Sequence, residues 1–314
     1  MRILSALSIL VLLATFAPPS LYRPREVPRG AWVEWQPLSN GDVAGCSLGK
    51  LDLVEGWVLT SNHPEFGGLS GLHVGTAEAV AISDTGFVLH FPLARGGRVP
   101  LSVFPATGSS AAKQLRDSES LAMRNGTAWI GFEHSNTIRR YRTNGWSIDG
   151  ESAPEAMRDW PRKAGAETMV GLRDGRFLLV SESVDGGGGA EALLFPGDPV
   201  AGEEPRLLRY QGVAGFRPTD AAQSSDGRIY FLNRRYTIAS SFSALLTEAD
   251  LPSSTDQIVE SREVGWFGPA CPQDNFEAIS ITNDNGRESI WIASDDNFGP
   301  LQRTLILKFA EERP

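Results

Sequence analysis

Four acidic residues recur in one setting. Glu119, Glu167, Asp220 and Glu277 each lie in a phrase of small and apolar residues that leads into a tight turn and a β-rich run. The clearest copy is Asp117-Ser118-Glu119-Ser120-Leu121-Ala122-Met123, followed by the turn Asn125-Gly126 and the run Thr127-Ala128-Trp129-Ile130-Gly131-Phe132. The other copies turn at Asp174-Gly175, Asp226-Gly227 and Asn285-Gly286, and Gly68-Leu69-Ser70-Gly71-Leu72 opens the series with Ser70 in place of the acid. From Ser70 onward the steps are 49, 48, 53 and 57 residues. Repetition near this period, with several strands and a hairpin turn per unit, is the pattern of a β-propeller. Each acid then sits at one place on the first strand of its unit, and first strands line the central channel. Carboxylates that converge on one axis repel one another unless a cation neutralises them.

Calcium is the expected cation, because it accepts about six to eight oxygen ligands in irregular geometry. Glu119, Glu167, Asp220 and Glu277 are its expected ligands. The chain has only four histidines and none lies in the acid phrases, so zinc and copper fit poorly. The competing reading has the acids capping blades or pairing with arginines. A second polar set falls at the ends of the second strands: Asp84, Glu133, Glu182, Asn233-Arg234-Arg235 and Asp295-Asp296-Asn297. These positions suit a site at one face of the blades, and they also suit ordinary turn chemistry. Arg116, Arg217, Arg234, Arg235 and Arg303 accompany the acids; arginine binds phosphate or carboxylate in a fork. The sequence has no G-x-S-x-G elbow, no P-loop and no dinucleotide fingerprint, so a hydrolase here would be metal-assisted rather than covalent.

The elements that must position these residues are short strands. Chain length of 314 residues accommodates a single all-β domain, and 33 glycines with 20 prolines indicate many turns and few long helices. Strands are expected at Trp32-Val33-Glu34-Trp35, and a hairpin at Leu51–Val54 and Trp57–Thr60 around Glu55-Gly56. Five repeat units follow, opening near Gly68, Asp117, Ala166, Pro218 and Asn275. With the N-terminal strands they make five or six four-stranded blades, and six is the favoured count. Ala153 to Lys163 reads as a short helix or an inter-blade loop, and the run Gly186 to Gly189 as a hairpin tip.

A net charge of −9 argues against nucleic acid as a partner, which needs a basic footprint. A hydrophobic content of 41% provides for a sizeable core. Arg2 and the apolar stretch Ile3 to Ala17 read as an export signal, too short to span a bilayer comfortably. Residues 1–22 are assigned to it, 23–40 to a lead-in and 41–314 to the propeller, with an uncleaved anchor as the alternative. The exported product is expected in the periplasm or outside the cell, as a monomer. Cys46 and Cys271 are the only cysteines, and they either form a disulfide across the closure of the ring or stay as two buried thiols.

Several stretches in order resemble the bacterial phytase-like family described as "esterase-like activity of phytase". They are Phe66 to Leu72, Asp117 to Leu121, Phe216-Arg217-Pro218-Thr219-Asp220-Ala221-Ala222, Phe231 to Arg235, Asp274 to Ile279, Ser294 to Phe298, and Leu301 to Leu305. The resemblance covers roughly residues 40–310 and implies an exported β-propeller with acids suspected in phosphoester chemistry. With it, the expected activity is calcium-dependent hydrolysis of a phosphoester. Glu119, Glu277 and Asp296 are the expected catalytic residues, and Arg217, Arg234 and Arg303 the expected contacts to substrate. A calcium propeller lactonase or carboxylesterase, and a non-catalytic binding propeller, are the alternatives.

Overall fold

A computed structural model describes residues 30–93, 96–103, 116–239, 241–253 and 257–311. The expected signal and residues 23–29 of the lead-in lie outside the described residues. Among those described, no helix is long and apolar enough to cross a membrane.

The strands of the described residues form five sheets. Blade 1 runs Leu69–Val74, Glu78–Ser83, Phe87–Pro92 and Ser102–Val103 from its inner strand outward. Blade 2 runs Ser118–Arg124, Thr127–Phe132, Thr137–Arg142 and Ser147–Ser152. Blade 3 runs Thr168–Gly171, Phe177–Val184, Gly189–Phe195 and Arg206–Gln211, with Ile258–Glu260 added in parallel at its edge. Blade 4 runs Arg217–Gln223, Ile229–Thr237, Ser241–Ala249 and Arg262–Trp266. Blade 5 begins Asn275–Asp284, Arg287–Asp295 and Thr304–Glu311, and its fourth strand is Leu51–Ser61. Trp32–Pro37 and Gly97–Pro100 extend that sheet outward.

Successive inner strands touch in chain order, and Asn275–Asp284 returns to touch Leu69–Val74. The fold is therefore a β-propeller: four simple blades and a composite sheet that holds the fifth. The favoured six-blade count is corrected here, because the N-terminal strands complete the last blade instead of making another. Leu51–Ser61 is also one continuous strand rather than a hairpin. It pairs antiparallel with Thr304–Glu311, Glu55 opposite Lys308 and Gly56 opposite Leu307. Gly56 serves close packing: a Cβ there would come 2.7 Å from Leu38 Cδ1 and 3.1 Å from Leu307 Cδ2.

Strand alternation builds the interior. In blade 3, Phe177, Leu179, Leu193 and Phe195 pack against Ala122 and Trp129 of blade 2. The intervening Leu178, Val180 and Leu194 pack the other way, against Ala221, Ile229 and Phe231 of blade 4. A period of two thus feeds two interfaces, so these strands are apolar at every position. Three similar clusters join blades 1 and 2, 4 and 5, and 5 and 1. Each fully buried Leu or Phe contributes roughly 1.5–3 kcal/mol.

Local readings at the turns hold in part. Asn125 and Gly126 both have positive φ, 50° and 73°, as a two-residue hairpin turn requires. Asp185 Oδ1 accepts N–H bonds from Gly187 and Gly189, which makes the glycine run a hairpin tip. Ala153 to Lys163 contains one 3₁₀ turn, Glu155–Met157. Cys46 and Cys271 are joined in a disulfide, which ties the segment before the closing strand to the entry of blade 5.

Candidate metal centre

A one-residue bulge near the start of the inner strand sets the site. In blade 2, Ser118 pairs with Phe132 and Ser120 with Gly131, which leaves Glu119 without a cross-strand partner. The same slip leaves out Glu277 in blade 5, Ser70 in blade 1 and Thr219 in blade 4. Glu167 directly precedes Thr168, which opens the blade 3 pairing opposite Val180. Bulges re-aim a side chain, and here they turn the carboxylates toward the axis. Oxygens of Glu119, Glu167 and Glu277, from three different blades, lie within 4.8 Å of one another.

Beside this tier stands a second, at the end of each second strand: Asp84, Glu133, Glu182, Arg234 and Asp295, one per blade. Blade 4 thus contributes a guanidinium where the others contribute a carboxylate. Arg234 Nη2 lies 2.8 Å from Glu182 Oε1, and Nη1 lies 2.6 Å from Glu277 Oε1 and donates to Asn275 Oδ1 at 2.9 Å. Asn275 Nδ2 donates to Glu277 Oε1 as well, at 2.5 Å.

The electrostatics follow from crowding. Burial, followed by repulsion from Glu167, Asp117 and Glu277, pushes Glu119 well above the ordinary carboxylate range. Glu167 is pushed up by burial and by Glu182 and Glu277, with Arg234 opposing. Glu277 is raised by burial and eased by Arg234. Glu133 rises to about 7, mainly through burial and then Asp117, with a hydrogen bond from Glu167 opposing. Asp295 is pushed well up by burial and then by Glu277. Such a nest holds protons or a cation in their place.

Other expected site residues are placed differently. Asp220 is one residue past the bulge, and that step reverses the direction of its side chain. It is buried between blades and accepts N–H bonds from Ala221 at 2.8 Å and Ile279 at 2.9 Å. It stitches blade 4 to blade 5 and is not part of the axial cluster. Asp296 is occupied as a clamp: Oδ1 accepts from the N–H groups of Gly68 and Phe298, and Oδ2 from the Thr304 hydroxyl. That clamp requires glycine at 67, where φ is +146° and a Cβ would lie 2.3 Å from Asp296 Oδ1. Arg217 is more than half exposed, with Nη1 3.6 Å from Glu182 Oε2. Arg303 is partly exposed, with Nε 4.0 Å from Asp274 Oδ2. Arg235 stacks on Phe216 at 4.6 Å and on Trp266 at 5.7 Å. Arg116 packs on Gly86, and its Nε and Nη2 are enclosed without a hydrogen-bond partner among the described residues.

One group escaped the sequence reading. Asp117, Glu133 and His134 also bring ligand atoms within 4.8 Å of one another, with His134 Nδ1 2.7 Å from Asp117 Oδ2. The signal was present: a two-residue turn at Asn125-Gly126 fixes the hairpin pairing, and with one bulge it carries Asp117 to the end of the second strand.

Fold and site together define a β-propeller with an acidic centre on its axis. The chain belongs to the Phytase-like family, described as esterase-like activity of phytase, whose model matches residues 64–298. No curated protein matches the chain. Among solved structures, an exo-1,5-α-L-arabinanase from a bovine ruminal metagenomic library is similar at 11% identity and TM-score 0.47, covering 76% of this chain and 91% of that one. The major Malassezia sympodialis allergen Mala s 1 is similar at 10% identity and TM-score 0.47, covering 84% and 88%. A calcium structure of a Trichoderma reesei family AA12 carbohydrate-active enzyme is similar at 13% identity and TM-score 0.42, covering 91% and 97%.

Proposed function

We propose that this chain is an exported hydrolase of phosphoesters that works with a divalent cation, calcium first among them. The observation that carries this is the meeting of Glu119, Glu167 and Glu277 within 4.8 Å, with Arg234 tied to Glu277 beside them. The donor set suits a hard cation, since every ligand atom is oxygen. Ser70 supports the fit: it occupies the same bulge position in blade 1, is 2% exposed, and its Oγ has no hydrogen-bond partner among the described residues. Glu119, Glu167, Glu277 and Ser70 would hold the ion. When bound, such an ion polarises a phosphoryl oxygen and acidifies a water.

The chain's own groups would do the rest. Arg217 and Arg303, at the exposed edge, would neutralise and orient the phosphate. Arg234 is committed to Glu182 and Glu277, so its part is to hold those carboxylates in place. Glu133, which burial and Asp117 hold above the ordinary carboxylate range before any ion binds, would take or return a proton. Export rests on the apolar segment Ile3 to Ala17. A second reading, hydrolysis of a carboxylic ester or lactone at the same centre, is favoured by the family's esterase-like description.

The test is release of phosphate and alcohol from phytate, a phosphodiester, a phosphomonoester and a lactone, each with calcium and with chelator. Calcium-dependent phosphate release, lost in folded Glu119→Gln and Glu277→Gln variants, is expected. Turnover of the lactone alone would select the second reading. No turnover with any substrate, and no effect of chelator on the fold, would leave a binding propeller.

A further inference from the structure

A second group of ligand atoms lies beside the axial cluster. Asp117, Glu133 and His134 bring two carboxylate oxygens and one imidazole nitrogen within 4.8 Å of one another. Asp117 and Glu133 are 7% and 8% exposed. Among the described residues, no lysine or arginine pairs with either, and the cationic partner within reach is the His134 imidazole. A histidinium would offset one of these two buried charges, whereas a divalent ion offsets both.

The contact is not an ordinary ion pair. His134 Nδ1 lies 2.7 Å from Asp117 Oδ2 and 3.7 Å from Glu133 Oε2. That nitrogen is enclosed and makes no hydrogen bond among the described residues. It therefore faces both carboxylates without an N–H aimed at either. Tetrahedral ligands about 2.0–2.1 Å from an ion stand about 3.3 Å apart. The two observed separations straddle that figure, so shifts of about half an ångström would seat an ion among the three groups.

The frame is built from the backbone. Glu133–Ser135 is a 3₁₀ turn at the end of the second strand of blade 2, closed by Asn136 with φ of 47°. The Glu133 N–H donates to Asp117 O at 3.3 Å, and the Asn136 N–H to Glu133 O at 3.2 Å. Asn136 Nδ2 donates to Trp160 O at 2.8 Å. Gly165 packs on Asn136 Oδ1 and Glu133 O and leaves no room there for a Cβ. The ligand-bearing turn is thus held in place, while the His134 side chain is a quarter exposed and opens the site to solvent.

The donor set decides the class of ion. Calcium and magnesium take oxygen ligands, and an imidazole moves the preference to the zinc group. Three protein ligands with a position left open are the arrangement of a zinc that still binds water or substrate. His134 lies outside the recurring acid phrases, so the make-up of those phrases gave no sign of it.

We propose that Asp117, Glu133 and His134 form a second cation site, selective for zinc over calcium, next to the axial centre. Glu133 adjoins that centre through its hydrogen bond with Glu167. The proton role given to Glu133 above then belongs to the chain with this second site empty. The site stands on its own three residues and does not depend on calcium at the axis.

The test is zinc titration calorimetry on the full chain, free of any histidine tag, in excess calcium, with cobalt absorption as a second readout. One zinc per chain is expected, bound at least tenfold more weakly by His134→Ala and by Asp117→Asn. Calcium affinity should be unchanged in His134→Ala, and the visible bands of bound cobalt should be lost. If His134→Ala melts lower than the wild type in chelator, His134→Gln serves the same purpose. Glu277→Gln should weaken calcium and leave zinc binding intact. Zinc bound equally by His134→Ala, or lost instead in His90→Ala, would overturn the proposal. Loss of zinc and calcium together in His134→Ala would merge the two sites and overturn it equally. Zinc held through His134 in a chain that binds no calcium would sink the axial reading and leave this one standing.

Discussion

Arg234→Met tests the electrostatic account of the axis most directly. The guanidinium lies within 2.8 Å of Glu182 and 2.6 Å of Glu277, whose side chains are 5% and 8% exposed. Removing it leaves buried Glu277 without its ion-pair partner and Glu182 with only the exposed Arg217, 3.6 Å away. Breaking a buried pair by deleting one partner costs about 3–5 kcal/mol. At roughly 2–4 °C per kcal/mol for a domain of this order, the melting temperature should fall by about 6–20 °C in chelator at pH 7.5. The sign with pH follows from Glu277, already raised in the fold and raised further without Arg234. Its neutral form relieves the strain, so the deficit should shrink as pH falls toward the ordinary carboxylate pKa. Calcium should recover more stability in the variant than in the wild type, because the lost charge is replaced by the ion. Thermal melts at pH 5 and 7.5, with and without calcium, and calcium titration calorimetry provide the readout. A variant melting within 2 °C of wild type at pH 7.5 in chelator, with unchanged calcium affinity, would refute the reasoning.

Three further outcomes are expected. In chelator, the rise of Glu133 from 4.5 to about 7 is worth at most about 3 kcal/mol. A raised folded pKa gives stability that is complete below pH 4.5 and lost as pH rises through 7, so the chelated protein should melt higher at pH 5 than at pH 8; a flat profile would count against it. Asp220→Ala leaves the Ala221 and Ile279 N–H groups without their acceptor and should cost about 2–4 kcal/mol in denaturant melts, with no change in cation affinity. Cys46→Ser with Cys271→Ser opens a cross-link spanning 225 residues and should cost about 5 kcal/mol by the chain-entropy estimate, seen as a lower denaturation midpoint.

Much of the axis was legible in the sequence because the repeat is local. The acid phrase and its turn recur within each blade, and spacing alone brought Glu119, Glu167 and Glu277 to one place. Asp220 defeated the same reasoning by a single residue: Thr219 holds the bulge, and acid-to-turn distance does not resolve an offset of one. The blade count was illegible for another reason. Pairing of Leu51–Ser61 with Thr304–Glu311 joins segments some 250 residues apart, and neither segment's pattern names its partner. Gly56 looked like a turn because glycine there answers to Leu38 and Leu307, which only the fold brings near. The open reading of the cysteines was resolved by the same closure.

That closure also bears on how the chain comes to be folded as it is made. Leu51–Ser61 is made before any of the five inner strands, while its partner Thr304–Glu311 is made after all of them. Until then the early strand has no native neighbour on that side, and blade 5 cannot form. Pairings so distant in sequence are slow to find, and unpaired strand edges invite wrong partners meanwhile. A growing chain can therefore assemble blades 2 to 4 one by one. The ring itself, and with it the full set of axial carboxylates from blades 2, 3 and 5, waits for Thr304–Glu311. Competence to gather an ion on the axis would then be acquired in one step, when that strand pairs.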